Sequence, residues 1–120
     1  MRQGRLDEAI AQFRAALVNH VPDINPDVLA MVHFQLGVAL ARKGEIEQAI
    51  VEYLEAIKIQ PRNPDVYYQL GSAFVARGDL GNGIRAFMNA LQLDPDHAPA
   101  KRALDAAWAR YNAEQMDSQP

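Results

Sequence analysis

The feature that most constrains this chain is a pattern that occurs twice at a fixed interval. Residues 35–37 read Gln-Leu-Gly, and residues 69–71 read the same three letters 34 positions later. Gly44 and Gly78 are separated by the same interval, as are two prolines further along. A period of this size indicates stacked copies of one supersecondary unit, here two helices around a glycine turn. Such a helix pair cannot bury its apolar face alone, so we expect function on a surface that stacking creates.

Helix start and stop signals divide the chain into hairpins. Asn-Pro-Asp-Val occurs at residues 25–28 and 63–66, with an N-cap asparagine, a proline at the first helical position and an acid in the first turn. These copies are 38 residues apart, four more than the repeat, so the helix after Asn25 should be about one turn longer than its successor. The apolar spacing and the breakers predict helices over residues 6–19, 26–42, 45–59, 64–76, 80–93 and 98–114.

These helices predict the domain organisation. Residues 1–24 form the second helix of an incomplete first unit plus a linker, and residues 25–63 and 64–97 form two complete units. Residues 98–114 form a capping helix with one apolar and one polar side, and residues 115–120 form a frayed tail. Gly4 aligns with Gly44, which predicts a turn at Gly4 and favours the removal of an upstream first helix.

Composition excludes several classes of function. A net charge of −3 without a Lys/Arg-rich run argues against nucleic-acid binding. The absence of cysteine removes disulfides, thiolate metal sites and cysteine nucleophiles. No apolar run has membrane-spanning length, and the first residues do not read as a signal peptide. We therefore expect a cytoplasmic chain that does not insert into a membrane.

The sequence offers no chemistry for catalysis. The chain contains two serines, Ser72 and Ser118, and no threonine, and it lacks a nucleophile elbow and a phosphate-binding loop. The three histidines, at positions 20, 33 and 97, lack metal-ligand spacing. We predict a non-enzyme with no catalytic, cofactor-binding or metal residues.

At this point the residues resemble the tetratricopeptide repeat (TPR) family, whose 34-residue pattern is W-x-x-L-G-x-x-Y followed by spaced alanines, an aromatic residue and a proline. The matching positions in the first complete unit are Leu36, Gly37, Ala49, Tyr53, Ala56 and Pro61. Those in the second are Tyr67, Leu70, Gly71, Phe74, Phe87, Ala90 and Pro95. His33 replaces the usual tryptophan, Leu40 the usual tyrosine, and Gly83 the usual alanine.

The resemblance implies an all-α, right-handed superhelical solenoid of antiparallel helix hairpins. It also implies a protein-interaction scaffold whose concave groove binds a peptide or protein segment. Carried over position by position, the groove residues are Met31, Phe34, Gln35, Val38, Ala41 and Arg42 in the first complete unit and Asp65, Tyr68, Gln69, Ser72, Val75 and Ala76 in the second, with Arg102, Ala106 and Arg110 if the last helix continues the frame. The carboxylate clamp of chaperone-binding members has lysines, an asparagine and an arginine among these positions. This chain departs from that set, which disfavours a chaperone C-terminal tail as its ligand.

Aromatic side chains in this pattern have two interpretations. Phe34 and Tyr68 occupy matching positions and could anchor a bound peptide, or they could serve ordinary packing between helices. We expect His33 to be a packed, hydrogen-bonded histidine, and Tyr67 and Trp108 to be core aromatics.

An alternative function follows from the incomplete first unit. The chain could be a structural or self-association segment of a larger protein, with an enzyme elsewhere in that protein. Without a partner helix, some of Ile10, Phe13 and Leu17 should lie bare. The helix could fray, another chain could cover it, or two copies could pair. Of these we favour a homodimer of this chain.

Overall fold

The computed structural model describes residues 2–19 and 25–117, and all regular structure within them is α-helical. The helices are α1 (Arg2–Val18), α2 (Pro26–Lys43), α3 (Ile46–Ile59), α4 (Pro64–Ala76), α5 (Leu80–Leu93) and α6 (Ala98–Asp117). The chain divides into two compact units. Unit 1, residues 1–62, contains α1 to α3, and unit 2, residues 63–120, contains α4 to α6. Within the described ranges, no helix combines the length and the apolar character needed to span a membrane.

The two asparagine caps form as the sequence predicts. The Asp27 N–H donates to Asn25 Oδ1 at 2.8 Å, and the Asp65 N–H donates to Asn63 Oδ1 at 3.0 Å. Helix α2 has 18 residues and α4 has 13, which confirms that the helix after Asn25 is longer by about one turn.

The glycine turns inside the hairpins are also confirmed. Gly44 and Gly78 have φ values of 92° and 91°, in the left-handed region that side chains disfavour. The Gly44 N–H donates to Ala41 O at 3.0 Å, which satisfies a carbonyl at the end of α2.

A glycine opposite an aromatic ring fixes the distance between the helices of each complete hairpin. A Cβ atom on Gly37 would lie 2.5 Å from Tyr53 Cε1, and one on Gly71 would lie 2.5 Å from Phe87 Cε1. Both rings are buried, with exposures of 0% for Tyr53 and 2% for Phe87. The Leu-Gly pair of the repeat is therefore a steric requirement, because any side chain there would displace the ring.

Gly83, which departs from the repeat pattern, lies at a close approach of α4 and α5. A Cβ atom there would lie 2.7 Å from Val75 Cγ2 and 3.1 Å from Gly71 O. Asp79 is the N-cap of helix α5, because its Oδ1 accepts the Asn82 N–H at 3.3 Å. Hydrogen bonds from Asn82 hold the pKa of Asp79 below its usual value.

Both ends of the chain differ from the prediction. Helix α1 begins at Arg2, so Gly4 is helical and the predicted turn there is wrong. A helix-interior glycine costs only about 1 kcal/mol relative to alanine, too little to break a helix whose neighbouring residues are good helix formers.

Helix α6 continues through residues 115–117, so the predicted frayed tail is wrong for that part. Residues 20–24 of the predicted linker, with His20, and residues 118–120 of the tail lie outside the described ranges.

Candidate functional site

In unit 1 the six predicted groove residues lie along α2. Met31, Gln35 and Arg42 are exposed, while Phe34, Val38 and Ala41 are half-buried. The Phe34 ring lies 6.0 Å from the Tyr53 ring between centroids, so Phe34 takes part in hairpin packing and keeps part of its surface free. Arg42 borders a hollow of about 530 Å³ that the first residues of α1 also line.

In unit 2 six predicted groove residues lie along α4. Asp65 and Ala76 are exposed, and Tyr68, Gln69, Ser72 and Val75 are half-buried. The Tyr68 ring lies 6.0 Å from the Phe87 ring between centroids, which repeats the contact of Phe34 with Tyr53 in unit 1. None of the predicted groove side chains in either unit is fully buried, so each keeps surface for a ligand.

The Asp65 carboxylate is already engaged by His97. The Ala100 N–H at the start of α6 donates to His97 Nδ1 at 3.1 Å, which places the ring proton of neutral His97 on Nε2. His97 Nε2 then donates to Asp65 Oδ1 at 2.7 Å, and the His97 ring lies 5.5 Å from the Tyr68 ring. Asp65 therefore ties the start of α4 to the start of α6. In unit 1, Gln60 makes the corresponding bond to Asp27 at 2.8 Å.

A cavity of about 300 Å³ opens between α4 and α6, above the ring of Phe87 on α5. Helix α6 packs mainly against α5 and touches α4 only lightly, which leaves this space between α4 and α6. The cavity is mostly apolar, with a hydroxyl and a guanidinium among its lining groups: Ser72, Val75, Phe87, Ala103, Ala106, Ala107 and Arg110.

The cavity brings together four of the predicted groove residues, Ser72, Val75, Ala106 and Arg110. Arg102 is exposed on α6 and does not line the cavity. The predicted groove set did not include the wall formed by Phe87 on α5 and by Ala103 and Ala107 on α6. The signal that could have indicated it is the spacing of Ala103, Ala106 and Ala107, which lie on one side of a helix and leave room beside it.

The apolar residues predicted to lie bare on α1 are largely covered. Ile10 is 5% exposed and so is not among the bare residues, while Phe13 and Leu17 are half-buried. Helix α1 packs against α2, and Lys43 Nζ lies 2.7 Å from Asp7 Oδ1. The hydrogen bond from Lys43 to Asp7 raises the pKa of Lys43.

The predictions for His33, Tyr67 and Trp108 have different outcomes. His33 is half-buried, with Nδ1 2.7 Å from Glu52 Oε1, which confirms the packed and hydrogen-bonded histidine. Tyr67 is half-buried. Trp108 is 43% exposed and meets Tyr111 edge to face, so the prediction of a core tryptophan is wrong. The preceding residue, Ala107, is the one that packs against α5, and Trp108 follows it on a different side of α6.

Residues 2–19 and 25–117 contain no group of three or more His, Cys, Asp or Glu side chains placed to hold a metal ion.

Comparison with known protein families gives two matches. Residues 37–76 match a family described as TPR repeat, and residues 64–97 match one described as tetratricopeptide repeat. Together they cover residues 37–97, about half of the chain. Among curated proteins, none matches this sequence.

Several solved structures share the fold. The Hsp90 co-chaperone Cns1 from Saccharomyces cerevisiae has a TM-score of 0.86 and 17% identity, with 94% of this chain and 36% of that chain covered. The first TPR of Spaghetti (RPAP3), bound to the HSP90 peptide SRMEEVD, has a TM-score of 0.80 and 20% identity, with 92% and 82% covered. The APC/C hetero-tetramer Cut9-Hcn1 has a TM-score of 0.81 and 20% identity, with 86% and 20% covered.

This chain thus spans about a fifth of the Cut9-Hcn1 chain and about a third of Cns1. At these identities the likeness concerns the fold, and it agrees with the family matches and with the six described helices. The predicted all-α fold of helix hairpins is confirmed, and the chain belongs to the tetratricopeptide repeat family.

Proposed function

We propose that this chain is a non-catalytic protein-interaction module, and that unit 2 holds a side chain of the bound segment in the cavity between α4 and α6. The observation that carries the proposal is the convergence of Ser72 and Arg110, two predicted groove residues, on one apolar hollow. Its volume of about 300 Å³ is at the lower end of the range for ligand pockets and suits one large side chain.

The surface of α4 beside the cavity suits an extended segment. Gln69 is half-buried and presents an amide that can donate and accept, which matches the backbone groups of a peptide. Tyr68 adds a partly exposed aromatic face one turn before Ser72. Membership of the family supports the general role, because one structural neighbour, the first TPR of Spaghetti (RPAP3), is bound to a peptide.

A chaperone C-terminal tail remains disfavoured as the ligand. The positions that the clamp would use hold Phe34, Gln35 and Val38 on α2, and Asp65 on α4 is engaged by His97. The resemblance in fold to a co-chaperone and to a chaperone-peptide complex does not supply these missing cationic groups.

The test is to fill the cavity without disturbing the fold. Ala106 is exposed and lines the cavity, so Ala106→Leu should occupy the space that a ligand needs. Ala109 is exposed on the same helix and does not line the cavity, which makes Ala109→Leu the matched control. Random peptides displayed on phage are selected against the immobilised full chain and then measured with both variants.

We expect the selected peptides to share a large apolar residue, to lose binding to Ala106→Leu and to keep binding to Ala109→Leu. Equal binding to both variants would place the ligand elsewhere, and the absence of any enriched peptide would contradict the proposed function. Circular dichroism of both variants checks that they fold alike.

The second candidate is a structural or self-association role within a larger protein. The observation in its favour is that Phe13 and Leu17, one turn apart on α1, are only half-buried, and that Val18 after them is 81% exposed. A homodimer through the side of α1 that carries Phe13 and Leu17 would cover these two residues further in both copies. Sedimentation of the chain and of Phe13→Glu distinguishes the two candidates, since a monomer whose mass and stability the substitution leaves unchanged would contradict the pairing. The cytoplasmic location stays a prediction from the sequence.

A further inference from the structure

We propose that the cavity of unit 2 selects segments in which a large apolar side chain stands next to a glutamate or aspartate, and that Arg110 binds that carboxylate. This inference rests on the proposed function and adds the chemistry of the partner. It concerns a side-chain carboxylate within a segment, so it does not require a free C-terminus.

The apolar half of this preference follows from the walls of the cavity. Its floor is the ring of Phe87, which is 2% exposed, and its sides include Val75 and the alanines of α6. A polar or charged side chain placed there would lose its hydration without gaining hydrogen bonds, whereas an aromatic or long aliphatic side chain gains from leaving water.

The acidic half follows from the charges around the cavity. Arg110 is the charged residue among the side chains that line it, and Ser72 is the uncharged polar one. On α4, Asp65 lies two turns before Ser72, and its carboxylate accepts a hydrogen bond from His97 Nε2. On α6, Glu114 is the acid beside Arg110. A ligand that reaches the edge of the cavity therefore meets the guanidinium of Arg110, for which the Glu114 carboxylate competes.

Arg110 has hydrogen-bond donors available for this role. Its Nε lies 3.6 Å from Glu114 Oε1, longer than a normal hydrogen bond, and both side chains are more than half exposed. An exposed pair of this kind holds its partners weakly. The guanidinium carries five N–H donors, and a carboxylate can accept two of them side by side.

The geometry makes Glu114 a competitor for the same guanidinium. Removing the Glu114 charge should therefore strengthen binding of an acidic ligand, while removing the Arg110 charge should weaken it. A purely structural role for Arg110 would not produce opposite effects from the two substitutions.

The probes are the blocked dipeptides N-acetyl-Phe-Glu-amide, N-acetyl-Phe-Gln-amide and N-acetyl-Phe-Lys-amide, with N-acetyl-Ala-Glu-amide as the control for the apolar anchor. Each is titrated into the ¹⁵N-labelled full chain, and amide shifts give both the location and the affinity. We expect the Glu peptide to bind about 1.4 to 5 times more tightly than the Gln peptide, the range for an exposed charge pair, and the Lys peptide to bind more weakly than either.

Three variants test whether Arg110 causes the difference in affinity between the Glu and Gln peptides. Arg110→Gln should abolish the difference between the Glu and Gln peptides, and Glu114→Gln should increase it. Arg102→Gln, which removes an exposed arginine outside the cavity, is the matched control and should leave most of the difference in place.

The outcomes separate this inference from the proposed function. Equal affinities of the Glu and Gln peptides, or equal effects of Arg102→Gln and Arg110→Gln, would overturn the inference while the cavity still binds the phenyl group. If the Ala-Glu peptide binds as well as the Phe-Glu peptide, or the shifts fall away from α4 and α6, the cavity is not the anchor site and the proposed function fails as well.

Discussion

Replacing Tyr53 with phenylalanine should stabilise this protein. Tyr53 is 0% exposed, and its hydroxyl has no hydrogen-bond partner among the described residues. Phe87 occupies the equivalent position in the second repeat, faces the equivalent glycine and does so without a hydroxyl. The site therefore accepts a phenyl ring, and the Tyr53 hydroxyl is a buried polar group that loses its hydration on folding.

The magnitude follows from the cost of an unsatisfied hydroxyl. Burying a polar group without a partner costs about 1 to 3 kcal/mol, so Tyr53→Phe should raise the free energy of unfolding by about that amount at neutral pH. Phe87→Tyr is the reciprocal variant and should lower the free energy of unfolding, because the new hydroxyl would enter an equally buried position.

The same residue predicts a dependence on alkaline pH. Burial raises the pKa of Tyr53 to about 12, with a smaller opposing effect of the positive charge of Arg42. In the unfolded chain the pKa of tyrosine is about 10, so the unfolded state loses the proton first as the pH rises. The wild-type chain should therefore lose about 3 kcal/mol of stability between about pH 10 and pH 12, and Tyr53→Phe should lack this component.

Urea unfolding followed by circular dichroism at neutral pH and at about pH 11 measures both effects. The other tyrosines also titrate in alkali, so the quantity to compare is the difference between wild type and Tyr53→Phe at each pH. A loss of stability in Tyr53→Phe at neutral pH would show that the hydroxyl has a partner, and a difference that does not widen in alkali would refute the pKa argument.

Three further predictions use other features of the hairpins. Gly71→Ala should destabilise the fold by about 1 to 3 kcal/mol in thermal unfolding, because its Cβ would press on the aromatic ring of α5, whereas the exposed Gly81→Ala should stabilise by up to about 1 kcal/mol. Asn63→Ala removes the cap of α4 and should cost about 1 kcal/mol in urea unfolding, and an unchanged value would show that the cap hydrogen bond contributes little. Phe34→Ala and Tyr68→Ala should each weaken binding of a selected peptide by about 1 to 3 kcal/mol in calorimetry if these rings are anchors. If affinity per folded molecule stays unchanged while the melting temperature falls, both rings serve packing.

The hairpins were predictable because their signals are local. An asparagine followed by proline caps a helix through atoms two residues away, and Gly44 can adopt its positive φ whatever lies outside the hairpin. The fixed interval then shows that the same helix hairpin forms a second time. Gly37 and Gly71 also followed from the repeat, although the atoms that require them, on Tyr53 and Phe87, are 16 residues further along the chain in each case.

The errors fall where the answer depends on what packs nearby. Gly4 has a sequence context similar to that of Gly44, but the helix continues through Gly4, whereas Gly44 ends its helix with a φ of 92°. Trp108 lies next to the buried Ala107 in sequence, yet 43% of its surface is exposed because α6 presents the adjacent position to solvent. Periodicity identifies an apolar side of a helix, but it does not say how far the neighbouring helix extends over that side.

The cavity could not be predicted for the same reason, and this explains why the predicted groove set contained only part of its lining. Ser72, Val75, Ala106 and Arg110 came from positions in a repeat frame, which records where helices usually face a groove. The space between them depends on how α6 packs, mainly on α5 and lightly on α4, and on side chains too small to fill the gap. Alanine favours a helix whether the space beside it is filled or empty, so Ala103, Ala106 and Ala107 in the sequence do not indicate a cavity. In the proposed function, the alanines of α6 leave the room that a side chain needs to enter, and Arg110 selects the charge that the side chain's neighbour carries.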